Sequence, residues 1–130
     1  LPEFPDRWFN TAFIIGPSGE VILKYHKWHI PASIGMGTSP HDMLDDYTKV
    51  FGNNIRQRFP VVDTEIGKLG TMTCHDGATP EVSRALAFNG VEVICLDRLV
   101  HNHDENEMDG WMVAGAVTTL LSRPLGPFPP

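Results

Sequence analysis

Lys68-Leu69-Gly70-Thr71-Met72-Thr73-Cys74, followed by His75-Asp76-Gly77-Ala78 and Thr79-Pro80-Glu81, is the stretch that decides the fold. The apolar run up to Cys74 reads as a buried strand, and Gly77 lies in the turn that breaks it. Thr79-Pro80-Glu81 is a helix start: Thr can cap, Pro suits the first helical position, and Glu complements the dipole. Val82, Ala85, Leu86 and, less regularly, Phe88 form the face that this helix would bury, and Asn89-Gly90 ends it. Residues 91–96 then read as a second buried strand. Strand, helix, strand within about 30 residues is a right-handed crossover between parallel strands, so the class is α/β. Cys74 falls at the C-terminal tip of the first strand, where open α/β sheets bind ligands. Backbone N–H groups at such a tip can lower a thiol pKa and stabilise an oxyanion.

Upstream, residues 10–16 and 20–26 read as strands joined by Gly16-Pro17-Ser18-Gly19, a hairpin. Residues 31–58 show little periodicity, with one helical turn around 43–51; an irregular stretch of that length is more often a functional loop than filler. Residues 59–66 and 68–74 form a second strand pair turning at Gly67. Downstream, 101–107 is a polar loop, and 109–122 reads as a helix with Trp111, Met112, Ala116, Leu120 and Leu121 available to pack. No internal boundary divides the 130 residues, which read as a single, partial domain. The chain opens on Leu1 and closes on a Pro-rich tail, so both ends read as cut or extended.

A hydrophobic fraction of 42% and a charged fraction of 20% are those of a soluble globular protein. A net charge of −6 argues against nucleic acid or an anionic membrane as partner. No apolar run approaches the roughly 20 residues of a membrane-spanning helix, and no signal peptide is visible. Cys74 and Cys95 are no disulfide framework. A reducing, cytoplasmic setting is the expectation, with a bridge between neighbouring strands as the alternative.

A cysteine thiol ordinarily ionises near pH ~8.5 and needs help to act as a nucleophile. His75 is adjacent, but neighbouring side chains on an extended chain point to opposite faces. A distant cation such as Lys27 could stabilise the thiolate, and a carboxylate could take the proton. Cys74 can equally be a buried structural cysteine. Lys24-Tyr25-His26-Lys27-Trp28-His29-Ile30-Pro31 ends the second strand; alternation puts Tyr25 and Lys27 on one face, although a solvated strand end reads the same way. His101 and His103 alternate in an acidic loop. That is a weak metal signal without a partner motif, so a metal-binding module is only a rival reading, and no metal or cofactor is expected.

Together the two stretches resemble the carbon–nitrogen hydrolase (nitrilase) superfamily. The first carries Asn10-Thr11-Ala12-Phe13-Ile14-Ile15-Gly16, Gly19-Glu20 and Lys24-Tyr25-His26-Lys27. The second carries Asp63-Thr64-Glu65-Ile66-Gly67-Lys68-Leu69-Gly70, then Cys74, Pro80-Glu81, Arg84 and Gly90-Val91-Glu92-Val93-Ile94. The two motifs come in the family's order, with 74 − 27 = 47 residues between the key positions. The resemblance covers most of residues 10–120, and Asp76-Gly77 leans towards the aliphatic amidase and formamidase branch.

The resemblance implies part of an α-β-β-α sandwich that associates into homo-oligomers. It implies a Glu-Lys-Cys triad in which Cys74 is the nucleophile and Lys27 stabilises the oxyanion together with the backbone N–H of His75. The substrate would be a small amide or nitrile, attacked without cofactor to give a thioester or thioimidate. Glu81 and Arg84 would be a structural pair at the helix start. A second acid after the lysine would fall on Asp46 or its neighbour Asp45, while the position matching the amidase branch is Gly35. The triad glutamate belongs on a strand well upstream of the lysine. Glu3 is too close to the first strand to be it, so the base is expected outside these residues and the 130 residues alone are expected to be inactive. A non-catalytic binding or scaffold descendant of the fold and an acyltransferase using the same cysteine are the rival functions.

Overall fold

The computed structural model describes residues 2–31, 37–99 and 113–116. Strands β1 (Thr11–Ile15) and β2 (Val21–His26) form an antiparallel hairpin. Ala12 pairs with Tyr25 and Ile14 with Leu23, and a register irregularity occurs at Ile14/Ile15. A second sheet has the order β3 (Val61–Thr64), β4 (Gly67–Thr73), β5 (Val93–Leu99) and β6 (Val113–Ala116). β4 and β5 are parallel, with Thr71 opposite Cys95, and the other two pairings are antiparallel. The expected crossover is therefore present, its helix running over Pro80–Phe88. Gly67, at φ 117°, makes the tight β3–β4 turn expected at that position.

The hairpin contacts β3 and β4. On the helix side, Gly70 leaves the room: a Cβ there would stand 3.0 Å from Val91 and 3.1 Å from Leu86. Leu69, which alternation turns to the opposite face, lines with Ile14, Ile22 and Val62 a cavity of about 500 Å³ at the turn ends of the two hairpins. Among the described residues, β4 thus contacts both the hairpin and the crossover helix. Leu23, Tyr25, Trp28, Tyr47, Met72, Val82, Leu86, Val91 and Ile94 form the buried core. Val82, Ala85 and Leu86 are buried as expected, but Phe88 is 77% exposed and does not join that face.

Two further expectations change. The described part of 31–58 is more ordered than an irregular loop. Ser39 and Asp42 form a capping box at a 3-10 turn, Pro40–Met43, which leads into α1 (Leu44–Phe51). Asn54 and Gln57 cap the short α2 (Ile55–Arg58) in the same way. The crossover helix is accordingly α3. Asn89, read as its stop, also donates from Nδ2 to the carbonyls of Ile55 at 3.1 Å and Phe59 at 2.7 Å, fastening α2 to its end. The helix expected over 109–122 is not found where the chain is described. Val113–Ala116 is a strand, with Ala116 opposite Leu96 and Val113 opposite Leu99. Gly115 weakens a helix, and the open edge of β5 offers backbone partners that a short segment can take instead. The remainder of 109–122 lies outside the described residues, as does the 101–107 loop.

Candidate active site

β2 and β4 contact each other, and a single carboxylate joins the segments at their C-terminal ends. That carboxylate belongs to Asp76, which is wholly buried. Its Oδ2 accepts from the Tyr25 hydroxyl at 2.8 Å and from the Thr73 N–H at 3.3 Å. Its Oδ1 accepts from the His29 N–H at 2.8 Å and lies 3.1 Å from His29 Nδ1. The Thr79 hydroxyl donates to the Asp76 carbonyl at 3.2 Å and sits 3.2 Å from the same ring nitrogen. Tyr25 and His29 are two residues either side of Lys27; Thr73 and Asp76 bracket Cys74. With about 3.8 Å between successive Cα atoms, both candidate residues are held within two residues of one hub.

Lys27 lies just beyond β2, where its N–H still pairs with the Asn10 carbonyl at 2.9 Å. It is only 6% exposed, and no carboxylate forms an ion pair with it among the described residues. Such a buried cation is costly unless a counter-charge reaches it. Burial first, and then the neighbouring Asp76 charge, raise the Tyr25 phenol far above its usual range, so its proton stays available to donate.

Cys74 is half-buried and opens a 3-10 turn, Cys74–Ala78. Its φ is 50°, the left-handed region, in which it is alone among the described non-glycine residues. Such a conformation costs about 1–3 kcal/mol and collects at functional sites. The His75 side chain is exposed, while its N–H belongs to the first turn, where no intrahelical acceptor is available. Trp28 Nε1 and Thr73 Oγ1 are buried without a hydrogen-bond partner among the described residues, and they belong to the residues next to Lys27 and Cys74.

Asp46 is not brought to this cluster: it sits on the exposed side of α1, paired with Lys49 at 2.8 Å. Asp45 is exposed too, and Glu3 lies exposed in an N-terminal turn. Glu81 is in the first turn of α3 as expected, but no ion pair joins it to Arg84. Both cysteines are free thiols, so the alternative of a bridge between them is not realised. Among the described residues no three His, Cys, Asp or Glu side chains form a metal-binding group, and no helix is long and apolar enough to cross a membrane. His101, His103 and Gly35 lie outside the described residues. Sequence reasoning missed the roles of Asp76, His29 and Thr79. Asp76 entered the sequence reading only as part of the Asp76-Gly77 motif, although it also stands three residues after Thr73, a spacing common at helical turns. Neither signal says anything of partners 47 and 51 residues away.

A family model described as carbon-nitrogen hydrolase matches residues 1–120. The chain belongs to the carbon–nitrogen hydrolase family. Within that family it is similar to formamidases of Bacillus thuringiensis (strain Al Hakam), Bacillus cereus (strain AH820) and Bacillus anthracis (strain CDC 684 / NRRL 3495). Each is 37% identical over 89 residues, which is 66% of this chain and 22% of the relative. This carbon–nitrogen hydrolase chain thus spans about a fifth of the length of the curated relatives it matches.

Proposed function

We propose that this chain supplies the Lys27 and Cys74 portion of an active site that hydrolyses the carbon–nitrogen bond of a small linear amide, with formamide as the first substrate to try. The observation that carries the reading is the Asp76 hub, which ties the segment around a buried lysine to a cysteine in left-handed backbone. Family membership and similarity to formamidases support the reaction class.

In this mechanism the Cys74 sulfur, its proton removed by a general base, adds to the amide carbonyl carbon. Negative charge moves to the carbonyl oxygen, where the Lys27 ammonium and the His75 N–H stabilise it. The C–N bond breaks, the nitrogen leaves as ammonia with the proton that the base returns, and a Cys74 thioester remains. Water, deprotonated by the same base, attacks the thioester and releases the carboxylic acid and the free thiol. The base is a glutamate outside these 130 residues; its carboxylate would also be the counter-charge that Lys27 needs. The complete layer arrangement would be an α-β-β-α sandwich.

Ammonia release from formamide and acetamide by the intact protein tests the reading. Cys74→Ala is expected to abolish turnover, and Lys27→Ala to lower kcat by about 10²–10³-fold, the loss usual for an oxyanion partner. Turnover that persists unchanged in Cys74→Ala would refute it.

A further inference from the structure

We infer that Asp76 is a positioning residue of this reaction: its buried carboxylate sets the separation of the Lys27 ammonium and the Cys74 thiol by bonding the chain on both sides of each. This rests on the proposed roles of Lys27 and Cys74 and deepens them. Among the described residues, four side-chain hydrogen bonds join residues 25–29 to residues 73–79, and three of them end on the Asp76 carboxylate. The fourth runs through Thr79, whose hydroxyl also donates to the Asp76 carbonyl. The hub is therefore the polar connection between the two segments rather than one contact among many.

The carboxylate suits the task because it is acceptor-only on both oxygens. One oxygen meets the His29 N–H and the other the Thr73 N–H, and neither backbone donor can turn away. Asparagine fills the same volume, but its amide NH₂ would have to face one of these N–H groups. Facing the His29 N–H, it would break the bond that crosses to the Lys27 segment; facing the Thr73 N–H, it would loosen the turn that carries Cys74. Either way the separation of Lys27 and Cys74 would change while the fold stayed. The oxyanion exists only as the reaction proceeds, so the loss should appear in kcat rather than KM.

The experiment compares Asp76→Asn, Lys27→Ala and the double variant in the intact protein, with formamide and acetamide as probes. A displacement of about 1 Å can cost 10²-fold, so Asp76→Asn is expected to lower kcat by about 10–100-fold with KM little changed. Because Asp76 acts through Lys27, the double variant should be no slower than Lys27→Ala alone; effects that multiply would mark a merely structural role and overturn the inference. Wild-type kcat in Asp76→Asn would overturn it as well. Should Asp76→Asn fail to fold, Tyr25→Phe replaces it, expected to lower kcat severalfold, and an unchanged kcat there counts against the inference. Crystal structures of wild type and variant give a readout that needs no substrate: the Lys27 Nζ to Cys74 Sγ distance should change by about 1 Å. An unchanged distance rejects the positioning role. If the distance changes but neither probe is hydrolysed even by wild type, the proposed function fails and the positioning role stands.

Discussion

The Tyr25 hydroxyl donates to Asp76 Oδ2 at 2.8 Å, joining residues 51 positions apart at a point where neither side chain reaches solvent. The tyrosine ring fills the core against Phe59, their centroids 6.5 Å apart, while its oxygen satisfies a carboxylate that would otherwise lose one of its donors. Tyr25→Phe keeps the ring and removes the hydroxyl, with its bond to Asp76 and its contact with the Trp28 backbone. A hydrogen bond to a charged group contributes about 1.5–3 kcal/mol, so the variant should lose that much stability. Urea denaturation of the intact protein measures it, and an unchanged midpoint would mean that water or another donor replaces the hydroxyl.

Cys74 at φ 50° offers a test of stored backbone strain. Alanine at this position removes the thiol but keeps the Cβ that makes the left-handed conformation costly. Glycine removes both. Cys74→Gly should therefore be more stable than Cys74→Ala by about 1 kcal/mol, after the extra chain entropy of glycine offsets part of the relief. Both variants should be inactive, so stability separates them where activity does not. Equal denaturation midpoints would show that the turn holds no such strain.

These two features mark what a sequence can and cannot declare. The β4–α3–β5 unit is legible because its signals are local: an apolar run, Thr79-Pro80-Glu81 to start a helix, Asn89-Gly90 to stop it. Lys27 and Cys74 are legible through an ordered pair of motifs, and the structure brings their two segments to one carboxylate. The Cys74 dihedral is not, since glycine and, less often, Asn or Asp announce a positive φ and cysteine does not. Asp76 is visible only as part of a motif, because its partners are set by tertiary packing. Val113–Ala116 misleads because a short small-and-apolar segment satisfies either period, and the free edge of β5 decides. Asp46 rests on analogy with a position in a loop, whereas the fold gives it a helix face turned to solvent.

Gly70 lies under α3, where an added Cβ would approach Val91 Cγ2 to 3.0 Å and Leu86 Cδ2 to 3.1 Å. Both neighbours are buried, so they can yield only by moving the helix or leaving their rotamers. Gly70→Ala should cost about 1–3 kcal/mol by overpacking. Because α3 begins just after the Cys74 turn, the shift should also be felt at the candidate site. Gly70→Ala combined with Leu86→Val, which trims the crowding side chain, is expected to recover part of the lost stability. A thermal melt series on the wild type, both single variants and the pair decides the matter, and purely additive losses would contradict the steric account.

His26 carries the pH dependence. Its ring stacks on Phe9 at 5.0 Å, meets Phe51 edge-on at 4.9 Å, and has Nδ1 3.0 Å from the Tyr47 hydroxyl. Burial first, and then the charge of Lys24, lower its pKa, while burial pushes the Tyr47 phenol up to about 12 and keeps it protonated. About one pH unit or more above ~6.5 the imidazole is neutral in both folded and unfolded chains and contributes no slope. Below that, the unfolded chain takes up a proton that the folded one resists, so stability falls as pH drops towards the lowered folded value. His41, lowered by burial and then by the nearby His29, adds a slope of the same sign. His26→Phe keeps an aromatic ring in the stack and deletes the titration. Its denaturation midpoint, followed between about pH 7.5 and pH 5.5, should decline less steeply than that of the wild type while retaining the His41 share. Parallel curves for the two proteins would show that His26 does not resist protonation in the folded state.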